Sequence, residues 1–225
     1  MRGALAYYQT TIGMKIVMAV SGLIFWGFVI VHMLGNLKIY LGPENFNHYA
    51  EWLRTVGAPL FPPRTLLWLF RIVLITSFVL HVYAALALKL RAMRARDVDY
   101  RMKKPLVFSF ASRTMFWGGI IILLFVAYHL LDLTFGTANP DFVPGDVYHN
   151  TIATFSSWPV ALFYSGAVIF VGLHMYHGLW SSFQTLGANN PKYNVYRRPL
   201  AAIIALIVVV GNISIPVAVL TGILS

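Results

Sequence analysis

Five apolar runs, each about 20 residues long, constrain this chain more than any other feature. They cover roughly 14–36, 66–90, 113–135, 159–183 and 199–222. A bilayer core needs that length of apolar helix, so the expected fold class is an all-α membrane protein with five transmembrane helices. Composition agrees: 59% of residues are hydrophobic and 11% charged, against about 45–50% and about 25% in soluble domains. Pro159 and Pro199 are expected to open their helices, where a missing N–H costs nothing. Pro216 is expected to kink the fifth. No internal repeat is evident. The chain, 1–225, reads as one transmembrane domain. Residues Met1 to Gln9 carry no cleavage pattern of a signal peptide.

The charged residues predict a direction. The second-to-third connection carries Lys89, Arg91, Arg94, Arg96, Arg101, Lys103 and Lys104, and the fourth-to-fifth carries Lys192, Arg197 and Arg198. Arg2 and Lys15 flank the start of the first span. The third-to-fourth connection has Asp141 and Asp146 and no Lys or Arg. By the positive-inside rule the N-terminus is expected in the cytoplasm and the C-terminus outside. The first-to-second connection is mixed, with Lys38, Arg54 and Arg64 against Glu44 and Glu51. The net charge of +10 thus reads as topology and docking, with no nucleic-acid partner. Residues 43–54 predict a short helix on the outer surface, with Phe46, Tyr49, Trp52 and Leu53 on one side. Tyr7, Tyr8, Trp52, Trp158, Tyr193 and Tyr196 read as an aromatic belt.

Against this background four histidines stand out. His32, His81, His129 and His174 each lie inside a different apolar run. An ionisable side chain in hydrocarbon is costly and marks a site. Helical rise gives depth: His32 and His129 lie about 24–27 Å from the inner end, and His81 and His174 roughly 10–14 Å from it. The expected pairs are His32 with His129 and His81 with His174, across a four-helix arrangement of the kind that builds cofactor sites.

The chain has no cysteine, which excludes thiolate ligation, iron–sulfur clusters and covalent c-type haem on it. Two histidines leave zinc short of its usual four ligands, but they fill both axial positions of a haem iron. Two haem b groups are therefore the expected cofactors, one at each depth, in a bundle of the first four spans. Gly35, Ala84, Ala85 and Gly178 follow their histidines on the same helix faces and leave room for a flat ring. No such residue follows His129. His177, three residues beyond His174, is an alternative ligand; His48 and His149 read as ordinary surface residues. Arg71, Lys15 and Arg113 are candidates for binding haem propionates. Quinone-site candidates are Glu51 and Asp132 toward the outer face, and Ser21, Lys15 and His177 toward the inner. No catalytic residue for other chemistry is expected.

The stretch Gly-Phe-Val-Ile-Val-His32-Met-Leu-Gly-Asn resembles the first span of the cytochrome b membrane anchor of succinate dehydrogenases and fumarate reductases. The run His174-Met-Tyr-His-Gly-Leu-Trp-Ser-Ser-Phe-Gln-Thr-Leu-Gly resembles its fourth. The class is the single-chain, five-helix, two-haem type, and the resemblance covers nearly the whole chain. It implies axial ligands on the first four spans, first with third and second with fourth. It also favours His174 over His177, since a glycine follows the family's ligand by four residues. Ala85 stands where relatives often have glycine. The resemblance further implies a flavoprotein partner with covalent FAD and an iron–sulfur partner, both docked on the cytoplasmic side of a bacterial inner membrane. Electrons from succinate would then reach menaquinone through this chain. Alternatives remain: the cytochrome b subunit of a membrane hydrogenase or formate dehydrogenase, a haem-free quinone-binding anchor, and a transporter or proton channel whose histidines relay protons.

Overall fold

The computed structural model describes residues 10–95 and 110–225, with side chains described in the third span from residue 115 onward. Tyr7, Tyr8, the side chain of Arg113 and much of the basic second-to-third connection lie outside the described residues. The described chain is helical throughout. Helix α1 spans Thr11–Asn36, a 3-10 turn covers Leu37–Leu41, and α2 spans Pro43–Thr55. Helix α3 spans Thr65–Arg94, α4 Phe110–Leu133, α5 Val147–Ser156, α6 Trp158–Thr185 and α7 Pro191–Leu220. Five of these (α1, α3, α4, α6 and α7) are long and apolar enough to cross a membrane. The protein is a multi-pass helical membrane protein.

Local chemistry sets the helix ends. Thr10 caps α1, its Oγ1 accepting the Gly13 N–H at 3.0 Å. Pro43 opens α2 and Pro159 lies in the first turn of α6, as expected for a residue lacking a donor. Pro199 does not open the last helix. That helix begins at Pro191 and runs through both Pro199 and Pro216. The break is tolerated because the carbonyl deprived by Pro199 belongs to Val195, in the polar Lys192–Arg198 turns, where water can satisfy it.

Outward faces are apolar and exposed: Phe70 is 65% accessible, Leu124 65% and Leu206 63%. Patches of this kind are at home against lipid rather than water. Helix α1 packs on α3 and α6, α4 packs on α6, and α7 lies along α6. Glycines allow the closest approaches. A Cβ at Gly172 would collide with Val209 of α7, and one at Gly211 would meet the Met33 sulfur.

The largest buried core sits at the end opposite the basic connections. There Ile39, Phe46, Phe155, Ala161, Tyr164, Ile215 and Val219 cluster. Two short helices cover it. Helix α2 matches the sequence expectation, with Phe46 buried and Trp52 half exposed. Helix α5 does not, because the sequence reading left 136–158 as a plain connection. Its ten residues, VYHNTIATFS, are β-branched and polar, poor helix formers by propensity. The helix is instead held by tertiary contacts that bury Asn150, Thr151, Thr154 and Phe155.

Asp146 and Asn47 lock the two short helices together. Asp146 Oδ1 accepts the His149 N–H at 2.9 Å and the Asn47 side-chain amide at 2.9 Å, while Asn47 Oδ1 accepts the Tyr148 N–H at 3.0 Å. The His149 N–H and then the Asn47 amide hold the Asp146 carboxyl below its ordinary range. A depressed carboxylate stabilises the fold above its unfolded-state value, and that contribution is lost as pH falls through the folded value. Asp146→Ala should therefore weaken α5 by about 1 kcal/mol, read as faster amide exchange at 147–150. Acidification below the usual Asp range should lower the protection factors of the same amides, after correction for the intrinsic pH dependence of exchange, more in the native protein than in the variant.

Candidate cofactor site within the membrane

The two expected histidine pairs meet in space. The His32 and His129 rings lie 5.9 Å apart, centre to centre, at an interplanar angle of 86°. The His81 and His174 rings lie 6.2 Å apart at 57°. Each pair joins helices that do not pack extensively on one another: α1 with α4, and α3 with α6. The rings therefore reach across gaps between helices.

The two levels are separated by a constant step. Gly119 of α4 faces the His174 ring and His129 lies ten residues further along α4; on α6, Tyr164 meets the His129 ring and His174 lies ten residues further. Ten residues of helix rise about 15 Å. The two pairs are stacked along the bundle and are not side by side.

Aromatic residues brace the rings. Phe28 stacks on His32 at 5.2 Å and 16°, and Phe125 lies against His129 at 5.8 Å. Phe25 meets His81 edge-on at 5.9 Å. Ser21 fixes the state of His81. Its Oγ lies 2.7 Å from the Val17 carbonyl, to which it donates, and 3.1 Å from His81 Nδ1. With the hydroxyl proton committed, the oxygen is left to accept Nδ1–H, and Nε2 keeps its lone pair. Nδ1 of His129, of His174 and of His177 is buried and has no hydrogen-bond partner among the described residues.

The spacing suits a shared metal. Metal–imidazole bonds run to about 2 Å and each ring nitrogen lies about 1 Å from its ring centre, so two imidazoles on opposite sides of one metal place their centres roughly 6 Å apart. Both observed separations agree with that value. Among the described residues no three or more His, Cys, Asp or Glu side chains converge on one point. A haem iron, which takes four ligands from its own ring, matches a pair of histidines.

Small residues gather at the level of His81 and His174, where four helices contribute them. A Cβ at Gly22 would lie 3.5 Å from His81 Cε1 and one at Gly119 3.9 Å from His174 Cε1, while Gly178 faces open space. Ala84 is fully buried beside His81. Gly22 and Gly119 escaped the sequence reading because they are not on the helix of the histidine they face. At the outer level one expectation is corrected. The face of Gly35 is filled by Tyr49, whose ring would lie 2.9 Å from an added Cβ.

The remaining candidates separate. His177 packs edge-on to Trp180 at 5.2 Å, and Arg198 lies over that indole at 4.8 Å; it is His174 that meets His81. Ser21 spends its hydroxyl on Val17 and His81. Arg71 lies exposed over Trp68 at 5.1 Å, and Lys15 is exposed. Glu51 is exposed on α2 and lines a surface cleft with Glu44, Asn47, His48 and Arg54, a cleft that includes neither histidine pair. His149 is exposed, its Nε2 lying 3.0 Å from the Asp141 carbonyl. Asp132, by contrast, is 2% exposed. Its carboxylate accepts from Thr154 at 3.0 Å and Tyr164 at 2.6 Å. Thr154 and Tyr164 were not singled out in the sequence; a tyrosine near the start of its span, at the height of an acidic residue, was the available signal.

No family model, curated protein or solved structure matches this chain. The site is therefore read from its own geometry.

His174→Ala should abolish one of two haem-binding equivalents in the purified protein, measured by pyridine haemochrome. His177→Ala should retain both. The reverse ranking would move the ligand to His177.

Proposed function

We propose that this chain is the dihaem cytochrome b membrane anchor of a succinate:menaquinone oxidoreductase. The observation that carries the reading is the meeting of four intramembrane histidines in two stacked pairs, at ring separations of 5.9 and 6.2 Å. His32 and His129 would hold the outer haem b, and His81 and His174 the inner. When bound, each haem iron takes up and releases one electron, and its potential is tuned by axial ligands, burial and nearby charge.

The chain's own residues do the rest. Ser21 orients His81 so that Nε2 faces its partner. Phe25, Phe28 and Phe125 hold the rings and exclude water. Two sites about 15 Å apart along the bundle give electrons a route between the two faces. Moving one charge across the full potential is worth about 2.3 kcal/mol per 100 mV, so such a route couples a weakly driven reaction to the membrane. That coupling fits menaquinone, the weaker oxidant, as the quinone.

The remaining assignments rest on the family resemblance and on charge. A flavoprotein subunit with covalent FAD and an iron–sulfur subunit dock on the cytoplasmic side of a bacterial inner membrane. Lys89, Arg91, Arg94, Lys192, Arg197 and Arg198 form the basic end that faces them. The N-terminus lies inside and the C-terminus outside. Lys15, Arg71 and Arg113 remain the candidates for binding propionates. Asp132 and Glu51 remain candidates for an outer quinone site, and Ser21, Lys15 and His177 for an inner one.

The complex purified from native membranes should contain two haem b per chain by reduced-minus-oxidised spectra, together with covalent flavin and succinate-dependent haem reduction. Haem with hydrogenase or formate dehydrogenase activity in place of flavin would assign the chain to that other class of complex. Absence of a Soret band would return the histidines to proton relay or to a haem-free anchor. An alkaline phosphatase fusion after Asp141 should be active outside the cytoplasm; a cytoplasmic location would invert the topology.

A further inference from the structure

Asp132 is the carboxylate buried deepest among the described residues, and both of its oxygens are hydrogen-bonded. It is 2% exposed. Oδ1 accepts the Thr154 hydroxyl at 3.0 Å and Oδ2 accepts the Tyr164 hydroxyl at 2.6 Å. Thr154 has its proton committed to Asp132 because its oxygen accepts the Asn139 amide at 3.2 Å. Asn139 is itself anchored, its amide reaching the Asn150 carbonyl at 3.3 Å and its Oδ1 accepting the Asp141 N–H at 3.2 Å. Each carboxylate oxygen of Asp132 therefore accepts one hydroxyl donor.

The same carboxylate sits one turn from His129, on the same face of α4. Its partner Tyr164 touches the His129 ring, with centres 5.9 Å apart at 65°, and is wedged there by Phe125 at 5.2 Å and Phe155 at 5.0 Å. Asp132 thus reaches the outer histidine pair in two ways: through space by its charge, and through Tyr164 by packing. In a low-dielectric interior a fixed charge acts on its neighbours far more strongly than in water. The inner pair's described neighbours, Ser21, Gly22, Phe25 and Gly119, include no carboxylate.

We propose that Asp132, held by Thr154 and Tyr164, is a positioning and charge-setting residue for the outer histidine pair. It lowers the midpoint potential of the iron held there and, through the Tyr164 ring, fixes the orientation of His129. The inference rests on the dihaem reading. No bond forms or breaks. The carboxylate acts only on the energy difference between the outer centre with and without one added electron, favouring the state without it. This role also accounts for α5, which exists to bring Thr154 to Asp132 despite its weak helix propensity.

The test is a redox titration of the purified complex carrying Asp132→Asn, followed optically, with low-temperature electron paramagnetic resonance on the same samples. Asparagine keeps the size of the side chain and one acceptor oxygen but removes the charge. The component that disappears in His32→Ala identifies the outer centre. The expected result is an upward shift of that component alone, with the inner component at its wild-type potential. Equal potentials in wild type and Asp132→Asn, or equal shifts of both components, would overturn the proposal. Should Asp132→Asn fail to assemble, Tyr164→Phe decides: the resonance line of the outer centre should move and that of the inner should not. An unmoved outer line would reject the role of Tyr164 and Asp132. Wild-type protein without any haem signal would instead remove the dihaem reading itself, a failure seen before any variant is compared.

Discussion

An imidazole in hydrocarbon has two polar nitrogens and almost nothing to bond with. The interior of this protein is organised around four of them. Membrane helices gain little from apolar contact with one another, because lipid is as apolar as leucine. Between α1 and α4, and between α3 and α6, the contacts that stand out are His32 with His129 and His81 with His174.

The two ends of the molecule divide the work. One end carries the basic residues Lys89, Arg91, Arg94, Lys192, Arg197 and Arg198. At the other end α2, α5 and the 3-10 turn build a compact cap around Phe46, Phe155 and Tyr164. That cap also delivers Thr154 and Tyr164 to Asp132, so the best-packed part of the protein is the part next to the outer histidines. The inner pair depends instead on small residues, with Gly22, Gly119 and Gly178 keeping space beside His81 and His174.

Much of this is legible in the amino-acid sequence. Helical rise alone placed His32 level with His129 and His81 level with His174, because depth in a membrane span is nearly one-dimensional. The outer helix at 43–54 was readable from its proline start and its one-sided aromatics. Helix α5 was not, since its β-branched and polar residues favour helix only once Asn150 and Thr154 find buried partners. Asp132 was readable as a candidate for quinone binding, but its partners were not: nothing near it in sequence announces Tyr164, 32 residues away. Gly35 was readable as a small residue beside His32, but which neighbour would use the space was not, and Tyr49 took it. Pro199 misled because sequence rules place proline at helix starts, whereas here an earlier proline, Pro191, starts the helix in the interfacial turns.

The central claim is that each histidine pair grips one iron from both sides. Low-temperature electron paramagnetic resonance of the oxidised complex tests it most directly. Two low-spin ferric signals of equal spin count are predicted, since six-coordinate iron with two strong axial imidazoles is low-spin. A high-spin signal, or a single signal accounting for all the haem, would contradict the account.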